Sequence, residues 1–495
     1  MLPKKTIPIS GRRFLHGSVL AYALTIMALV SILLTSVVVF VVSQIKNSFH
    51  EEASERAFQI AESGVHFYKW YLAHETDGKN AQQIQAFWES GGAYGADVPY
   101  EVEYADPSGD PVGKYRITIT PPDPGSTIAW VESEGWTYRY PDLRRTVRVR
   151  LRRPSWSESA VLANDFMRFG EGTEVSGRIH SNEGVRFDGL AHNIVTSAVS
   201  SWDDPDHSGG DEFGVHTHVN PPPGSGINDS FRSAEAPLNA VPSRTDVFEA
   251  GREFPVASTD FAGIIGDLSL MKTEAEGGNG RYFANDTLDS GRRIILRADG
   301  TFDTCRVNSI LNDSVVSYKQ NVGSGTCSTC GGNSCTTNYS FPDNSVIFVE
   351  DDVWLSGRVD GHRVTVVAAN MSGMGSDRTV YIPNDLLYTT YDGTDTIGVI
   401  GQGNILIPLQ SEENLRIDAA LIAQKGKVGR DHYGDHRDVI TVFGAIATNE
   451  RYGFAYVDGT GYDVRNLYYD NNLLYYPPPF FPTGTQYIVD LWEEL

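Results

Sequence analysis

The sequence predicts a mainly β protein carried on a long N-terminal α-helix. Three observations carry that expectation. Phe14–Ile45 contains no Lys, Arg, Asp or Glu, and no proline interrupts Ser18–Ala73. Beyond residue 98 the apolar residues alternate with period two or fall in short runs between glycines. The chain also holds 49 Gly, 24 Pro and 24 Tyr among 495 residues, a composition of turns and strands.

The apolar segment, 18–43, is long enough as a helix to reach roughly 39 Å, against a hydrocarbon core of about 30 Å. Lys4, Lys5, Arg12 and Arg13 precede it without an acid among them, so the positive-inside rule keeps the N-terminus cytoplasmic and exports the rest. After it, Ile45, Phe49, Ala53, Ala57, Ile60, Gly64, Phe67 and Tyr71 follow at steps of three or four, with Glu51, Glu52, Glu55, Arg56 and Glu62 on other faces. This predicts an amphipathic continuation over 44–73, and one helix of roughly 80 Å in all. On pattern alone a juxtamembrane helix or coiled coil reads the same way.

The junction Gly11-Arg-Arg-Phe-Leu-His-Gly17-Ser18 sets a short basic leader ending in Gly directly before the apolar run. It resembles the prepilin pattern of type IV pilins and pseudopilins. The resemblance implies a leader, 1–17, cut by a prepilin peptidase between Gly17 and Ser18, with the apolar helix kept in the mature protein. A secretory signal has a shorter apolar region and a cleavage site beyond it. An uncleaved signal anchor is the other reading. The stretch Glu55-Arg-Ala-Phe-Gln-Ile-Ala-Glu-Ser-Gly64 resembles PilX-type minor pilins. Counted from Ser18, position five is Tyr22, where major pilins carry Glu. A buried carboxylate is costly unless paired, and a subunit without it lacks one docking charge. The resemblance therefore implies a minor subunit.

Residues 98–153 alternate with period two in four runs, 98–104, 114–120, 128–133 and 145–152, separated by Pro- and Gly-rich turns. They predict a small antiparallel unit, the layout of a pilin head, ending at Pro154. From 156 to 450, runs such as Val346–Val349, Val353–Gly357, Val364–Ala369, Ile397–Ile400 and Ile417–Ala423 recur at about one per 20 residues. This favours a parallel β-helix, a solenoid in which each coil buries its face on the next. A β-sandwich, with antiparallel pairs every 8–12 residues, is the rival. An irregular insert is expected over 196–345, within it a helix spanning Phe261–Met271 with Ser258 as N-cap. The aromatic, Pro-rich stretch 451–495 reads as a cap on the last coil. A chain starting near residue 73 is expected to fold by itself, because the solenoid carries its own core.

Net charge is −23, and −27 once the four leader cations are removed, which argues against a nucleic-acid partner. The four cysteines, Cys305, Cys327, Cys330 and Cys335, suit two disulfides in an exported chain, with three pairings open. A four-thiolate zinc site and free thiols are the alternatives. No cofactor is implied, and a divalent cation is the one candidate ligand of that kind. Asp206, His207, His216 and His218 lie in an acidic, His-bearing stretch from Asp203 and are its candidate ligands. G-x-S-x-G, H-E-x-x-H and G-x-x-x-x-G-K-[ST] are all missing from the chain, so no enzyme is expected. The expectation is a single-pass inner-membrane protein with an extracytoplasmic adhesive head. It would act in assembly, priming or tip display of a type IV pilus-like filament. Its partners would be other pilins, the assembly platform and an unidentified surface ligand or glycan. The alternative is a membrane-anchored β-helix protein that binds or degrades glycans outside any filament.

Overall fold

The computed structural model describes residues 17–79, 81–122, 126–206, 209–228, 235–237, 239–259, 261, 265–285, 291–307, 335–343, 345–372, 375–484 and 486–495. The leader residues 1–16, His207, Cys327 and Cys330 lie outside them.

Helix α1 runs Gly17–Thr76, 60 residues and roughly 90 Å. Its first half has a window of mean hydropathy 2.7 with none of it buried against the protein, and it is the one helix among the described residues long and apolar enough to cross a membrane. The second half packs on a sheet. There the buried face is Ala53, Ala57, Ile60, Ala61, Val65, Tyr68, Tyr71 and Leu72, the helical stripe that continues beyond the exposed Ile45 and Phe49. A short helix, α2 (Ala81–Glu89), follows.

The sheet under α1 contains β1 (Tyr100–Ala105), β2 (Pro111–Thr120), β3 (Ile128–Thr137) and β4 (Tyr140–Arg152), antiparallel and in sequence order. Alternation decides which side each residue takes. Ile117, Ile119, Ala129, Val131, Val147, Val149 and Leu151 turn toward α1 and are buried with it. The opposite side carries Arg116–Glu101 at 2.5 Å, Arg144–Glu134 at 2.9 Å, and Arg148 stacked 4.0 Å from the Trp130 ring centre. The helix lies very close to β3 because Gly135 has no side chain: a Cβ there would stand 2.3 Å from the Ala57 carbonyl oxygen and 2.4 Å from the Ala61 nitrogen. Since α1 supplies Ile60, Ala61, Val65, Tyr68, Tyr71 and Leu72 to this core, a chain beginning near residue 73 would leave the sheet uncovered, and its folding would rest on the β-helix alone.

A fifth strand completes the sheet, and it comes from the far end of the chain. Ile488–Glu494 pairs antiparallel with β4. Just before it, Trp88 of α2 donates a hydrogen bond to the Tyr487 hydroxyl at 2.9 Å. The expected cap over 451–495 is thereby corrected. Gly461–Tyr469 is a coil strand inside the stack, paired on both sides, and the last strand belongs to the head. All of 155–487 is an insertion between two neighbouring strands of one small sheet.

The insertion is a parallel β-helix. One face stacks, in spatial order, Arg281–Phe283, Val346–Val349, Arg363–Ala368, Thr396–Gly401, Asn414–Ala423, His436–Thr448, Val161–Ala163, Ile179–Ser181, Val195–Ser197 and Arg252–Glu253, all parallel. A sandwich does not give this pairing; antiparallel strands enter the coils at Gly291–Leu296, Thr301–Val307 and Cys335–Ser340. The interior is filled by Val, Ile, Leu and Phe from all faces, with Phe187 on Phe169 and Phe169 on Tyr452 stacked ring on ring.

The spatial order is permuted relative to the sequence. The chain enters mid-stack at Val161, winds outward to Glu253, returns along the side, and restarts at Arg281 on the opposite end. It then winds back until His436–Thr448 meets its own starting coil, Ala447 opposite Leu162. Helix α3 (Ile265–Glu276) lies on the returning segment, where Phe261, Leu268, Met271 and Ala275 cover the outer face of Val346, Phe348 and Val367. It begins well after Ser258, so Ser258 is not its N-cap. The expected insert 196–345 is accordingly two things: coil strands that continue the stack at both ends, and the return between them.

Candidate functional site

Three places bear on function. The first is α1. Gly17 opens it, Ser18 follows in it, and Tyr22 is exposed on its surface. Among the described residues the apolar half presents Val, Leu, Ile and Phe in every direction with nothing packed on them. Such a surface is stable only within lipid or against other apolar helices.

The second is a buried polar cluster at the end of the stack reached by Val195–Ser197. A hairpin pairs Ser201–Trp202 with Glu212–Phe213, and Val215–His216 follows as the outermost strand of another face, on Val185–Phe187. His216 and His218 lie two residues apart on this extended segment and so share a side. Both are fully buried, and their rings are 5.3 Å apart. Asp204, also buried, comes in from the hairpin: its Oδ2 lies 3.5 Å from His216 Nε2. Glu212 Oε1 stands 3.9 Å from His218 Nε2. One ligand atom each from Asp204, His216 and His218 falls within 4.8 Å of the others.

Around this group the charges are partnered. Arg186 reaches Asp188 at 2.7 Å and Asp204 at 3.6 Å, and Asp188 accepts the backbone N–H of His218 at 2.8 Å. Glu235 takes Arg252 at 2.6 Å and Arg244 at 3.6 Å. Burial raises the Glu235 carboxyl above its ordinary range, more than these two guanidiniums lower it. Burial also pushes the Asp204 carboxyl up, but the facing His216, the N–H of Asp206 and Arg186 outweigh it and hold it at about 2.

Of the candidate ligands, His216 and His218 are brought together. Asp206 is turned away: its carboxylate lies 2.5 Å from Arg451 and 3.5 Å from Arg168, so it serves as an ion-pair partner outside the cluster. Asp204 and Glu212 take its place. Both stand in the same acidic stretch, and the hairpin pairing is what points them inward.

The third place is a groove of about 910 Å³ where the last coil meets the first, lined among others by Arg168, Glu171, Arg451, Tyr456, Tyr462 and Asp463. Its charges are mixed, with Arg168 and Arg451 both set against Asp206. As for the cysteines, Cys305 is buried and disulfide-bonded, and the residue opposite it in the ladder is Cys335. A disulfide removes Cys305 from any four-thiolate zinc site.

Fold and site together define a class: an α+β head on a helix able to cross a membrane, with a parallel β-helix inserted before the head's last strand. No protein-family model matches the chain, and no curated protein does. Among solved structures it is similar to the crystal structure of the competence-associated pilin ComZ from Thermus thermophilus. That likeness has 14% identity and a TM-score of 0.31, covering 90% of this chain and 98% of that one.

Proposed function

We propose that the protein is a minor pilin-like subunit that displays its β-helix on a type IV pilus-like filament, by priming assembly or by occupying the tip. The observation that carries this reading is the architecture itself. A helix with an unpartnered apolar half and an amphipathic half buried on a small antiparallel sheet forms one assembly unit, and the large domain is inserted so that this unit stays intact. Tyr22 lacks the charge that a repeating subunit would use to dock, and the bulk of the insertion opposes close helical stacking, so the stoichiometry is low. The β-helix acts in adhesion to a surface ligand, and the chain is not an enzyme. The leader is cleaved by a prepilin peptidase after Gly17, and the other pilins and the assembly platform are its partners. A membrane-anchored β-helix protein that binds glycans in the groove between coils is the second reading, favoured by the tyrosines there.

N-terminal sequencing on co-expression with a prepilin peptidase tests the proposal. The mature chain should begin at Ser18, Gly17→Leu should keep the leader, and immunogold label should be sparse or terminal on sheared filaments. An intact leader with label confined to the envelope would favour the anchored protein; dense label along filaments would make it the bulk subunit.

A further inference from the structure

We propose that Asp204, His216 and His218 hold one first-row divalent cation of zinc's kind, which fastens the terminal hairpin of the β-helix to its last coil. The proposal is independent of the filament reading.

The argument starts from the protons of His216. Its Nδ1 lies 3.2 Å from the Phe213 carbonyl oxygen, which can only accept, so Nδ1 carries the hydrogen. The other nitrogen, Nε2, faces Asp204 Oδ2 and presents a lone pair in the neutral ring. Both atoms are buried and make no hydrogen bond of normal geometry, with Arg186 Nη1 standing 3.6 Å from the carboxylate oxygen. A ring nitrogen lone pair and a carboxylate oxygen facing one another repel unless a proton or a metal ion stands between them.

Distance separates the two. A proton shared between imidazolium and carboxylate draws the atoms to about 2.7–2.9 Å. Here they stand at 3.5 Å. Two ligands of a tetrahedral ion with bonds of about 2.0–2.1 Å lie roughly 3.3–3.4 Å apart. The observed separation is that of ligands rather than of hydrogen-bonded partners. Nδ1–H donated to a backbone carbonyl is also the usual way a metal-binding imidazole is oriented. His218 completes three ligands within 4.8 Å, and Glu212, close to His218, is placed to supply the fourth.

Charge agrees. The buried carboxylates Asp188, Asp204, Glu212 and Glu235 face only the guanidiniums of Arg186, Arg244 and Arg252, and Arg244 is shared with Asp246, so carboxylates outnumber guanidiniums here. Two imidazoles with carboxylates suit zinc and its neighbours, whereas calcium and magnesium take all-oxygen sites. The ion would join residue 204, on the hairpin, to residues 216 and 218, on the coil, across the open end of a stack that otherwise exposes a strand edge.

The test uses the full chain without a tag, solubilised in detergent, stripped with EDTA and titrated with zinc chloride by calorimetry and native mass spectrometry. The expected result is one zinc per chain and a higher Tm. Affinity should fall about 100-fold or more in Asp204→Asn and His216→Gln and stay unchanged in His432→Gln, which alters an exposed His–Asp pair. Should those variants fold poorly, Co²⁺ added to the stripped wild-type chain gives the strong visible bands of a tetrahedral site. No stoichiometric uptake, uptake equal in all three variants, calcium bound in preference to zinc, or a weak octahedral cobalt spectrum would each overturn the proposal.

Discussion

Removing the amphipathic half of α1 should unfold the head and spare the β-helix. Ile60, Val65 and Leu72 are almost fully buried on the sheet. At roughly 1.5–3 kcal/mol for each fully buried aliphatic side chain, their removal costs about 4.5–9 kcal/mol. Tyr68, the close contact made by Ala53, Ala57 and Ala61, and the sheet residues left facing water add to this. A small domain is stable by about 5–15 kcal/mol in total, so the loss is of the same size as the whole. The β-helix has a separate core with no α1 residue in it. The comparison is between a chain starting at residue 50 and one starting at residue 77, both without the apolar half and both soluble. Limited proteolysis with an Arg-specific protease reads the difference, because β4 carries Arg144, Arg145, Arg148, Arg150 and Arg152. Cleavage within β4 should be fast in the shorter chain and slow in the longer one, while the fragment near 160–470 persists in both. The thermal transition of the β-helix should move by no more than a few degrees. Equal resistance of β4 in the two chains would refute the reasoning, since it would mean that the sheet stands without its helix.

Two further outcomes are expected. Opposed residues of an antiparallel ladder have Cα atoms about 4.5–5.5 Å apart, within disulfide range, so non-reducing digestion should yield a Cys305–Cys335 peptide. Cys305→Ser should cost about 3–4 kcal/mol by freeing a loop of roughly 30 residues, and labelling of Cys305 by maleimide in the native, unreduced protein would contradict the bridge. The second concerns His192, which bridges Glu249 and Glu174 at 2.6 Å each and is raised above its ordinary 6.5 by these hydrogen bonds. A raised histidine stabilises the fold below the unfolded value and loses that contribution as pH climbs through the folded one. Urea melts of His192→Gln should therefore fall below wild type at pH 6 by at most about 1 kcal/mol, the range of exposed pairs, and coincide with it at pH 9. A deficit that is the same at both pH values would remove the ion pairs as its cause.

What could be read in the sequence follows from the range of the physics behind each feature. The apolar run and its stripe are local, and so are the alternations that became β1–β4; a few residues of context set them. Strand stacking in the coils is also announced locally, by short Val- and Ile-rich runs between glycines. Which coil lies on which is a long-range matter. Ala447 and Leu162 are neighbours although most of the domain separates them in sequence, and no residue near either says so. The cluster shows the same division. His216 and His218, two apart in extended chain, were legible as a pair on one side. Asp206 was a reasonable third ligand by composition, and Asp204 took the place because Arg451, from the far part of the chain, holds Asp206 elsewhere. The signal that could have found Asp204 is the pairing of Trp202 with Glu212; among the described residues of the loop between them, Asp204 alone is buried.

The permuted order of the coils has a geometric cause. A solenoid wound in sequence order has its two chain ends at opposite ends of the stack. Here one face stacks ten strands, nine steps at about 4.8 Å, or roughly 43 Å. The attachment points on the head are β4 and the strand Ile488–Glu494, hydrogen-bonded neighbours about 4.8 Å apart. A domain inserted between them must begin and end at nearly the same place. Starting in mid-stack, winding to one end and returning outside to the other lets the last coil close on the first, so entry and exit coincide. The cost is the return itself, whose exposed apolar face is met by α3 against one side of the stack, with Leu473 and Phe481 of the outgoing tail covering the same side further on. Cutting that return between Ser258 and Ile265 would leave every coil contact in place. It should therefore leave the two halves associated, which a solenoid wound in sequence order would also do. Fusing Tyr469 directly to Val161, and opening the chain at the return instead, discriminates: Tyr469 pairs with Gly444 and Val161 with Ile446 of one strand, so only the permuted stack sets those residues end to end on one coil, and only it keeps its fold.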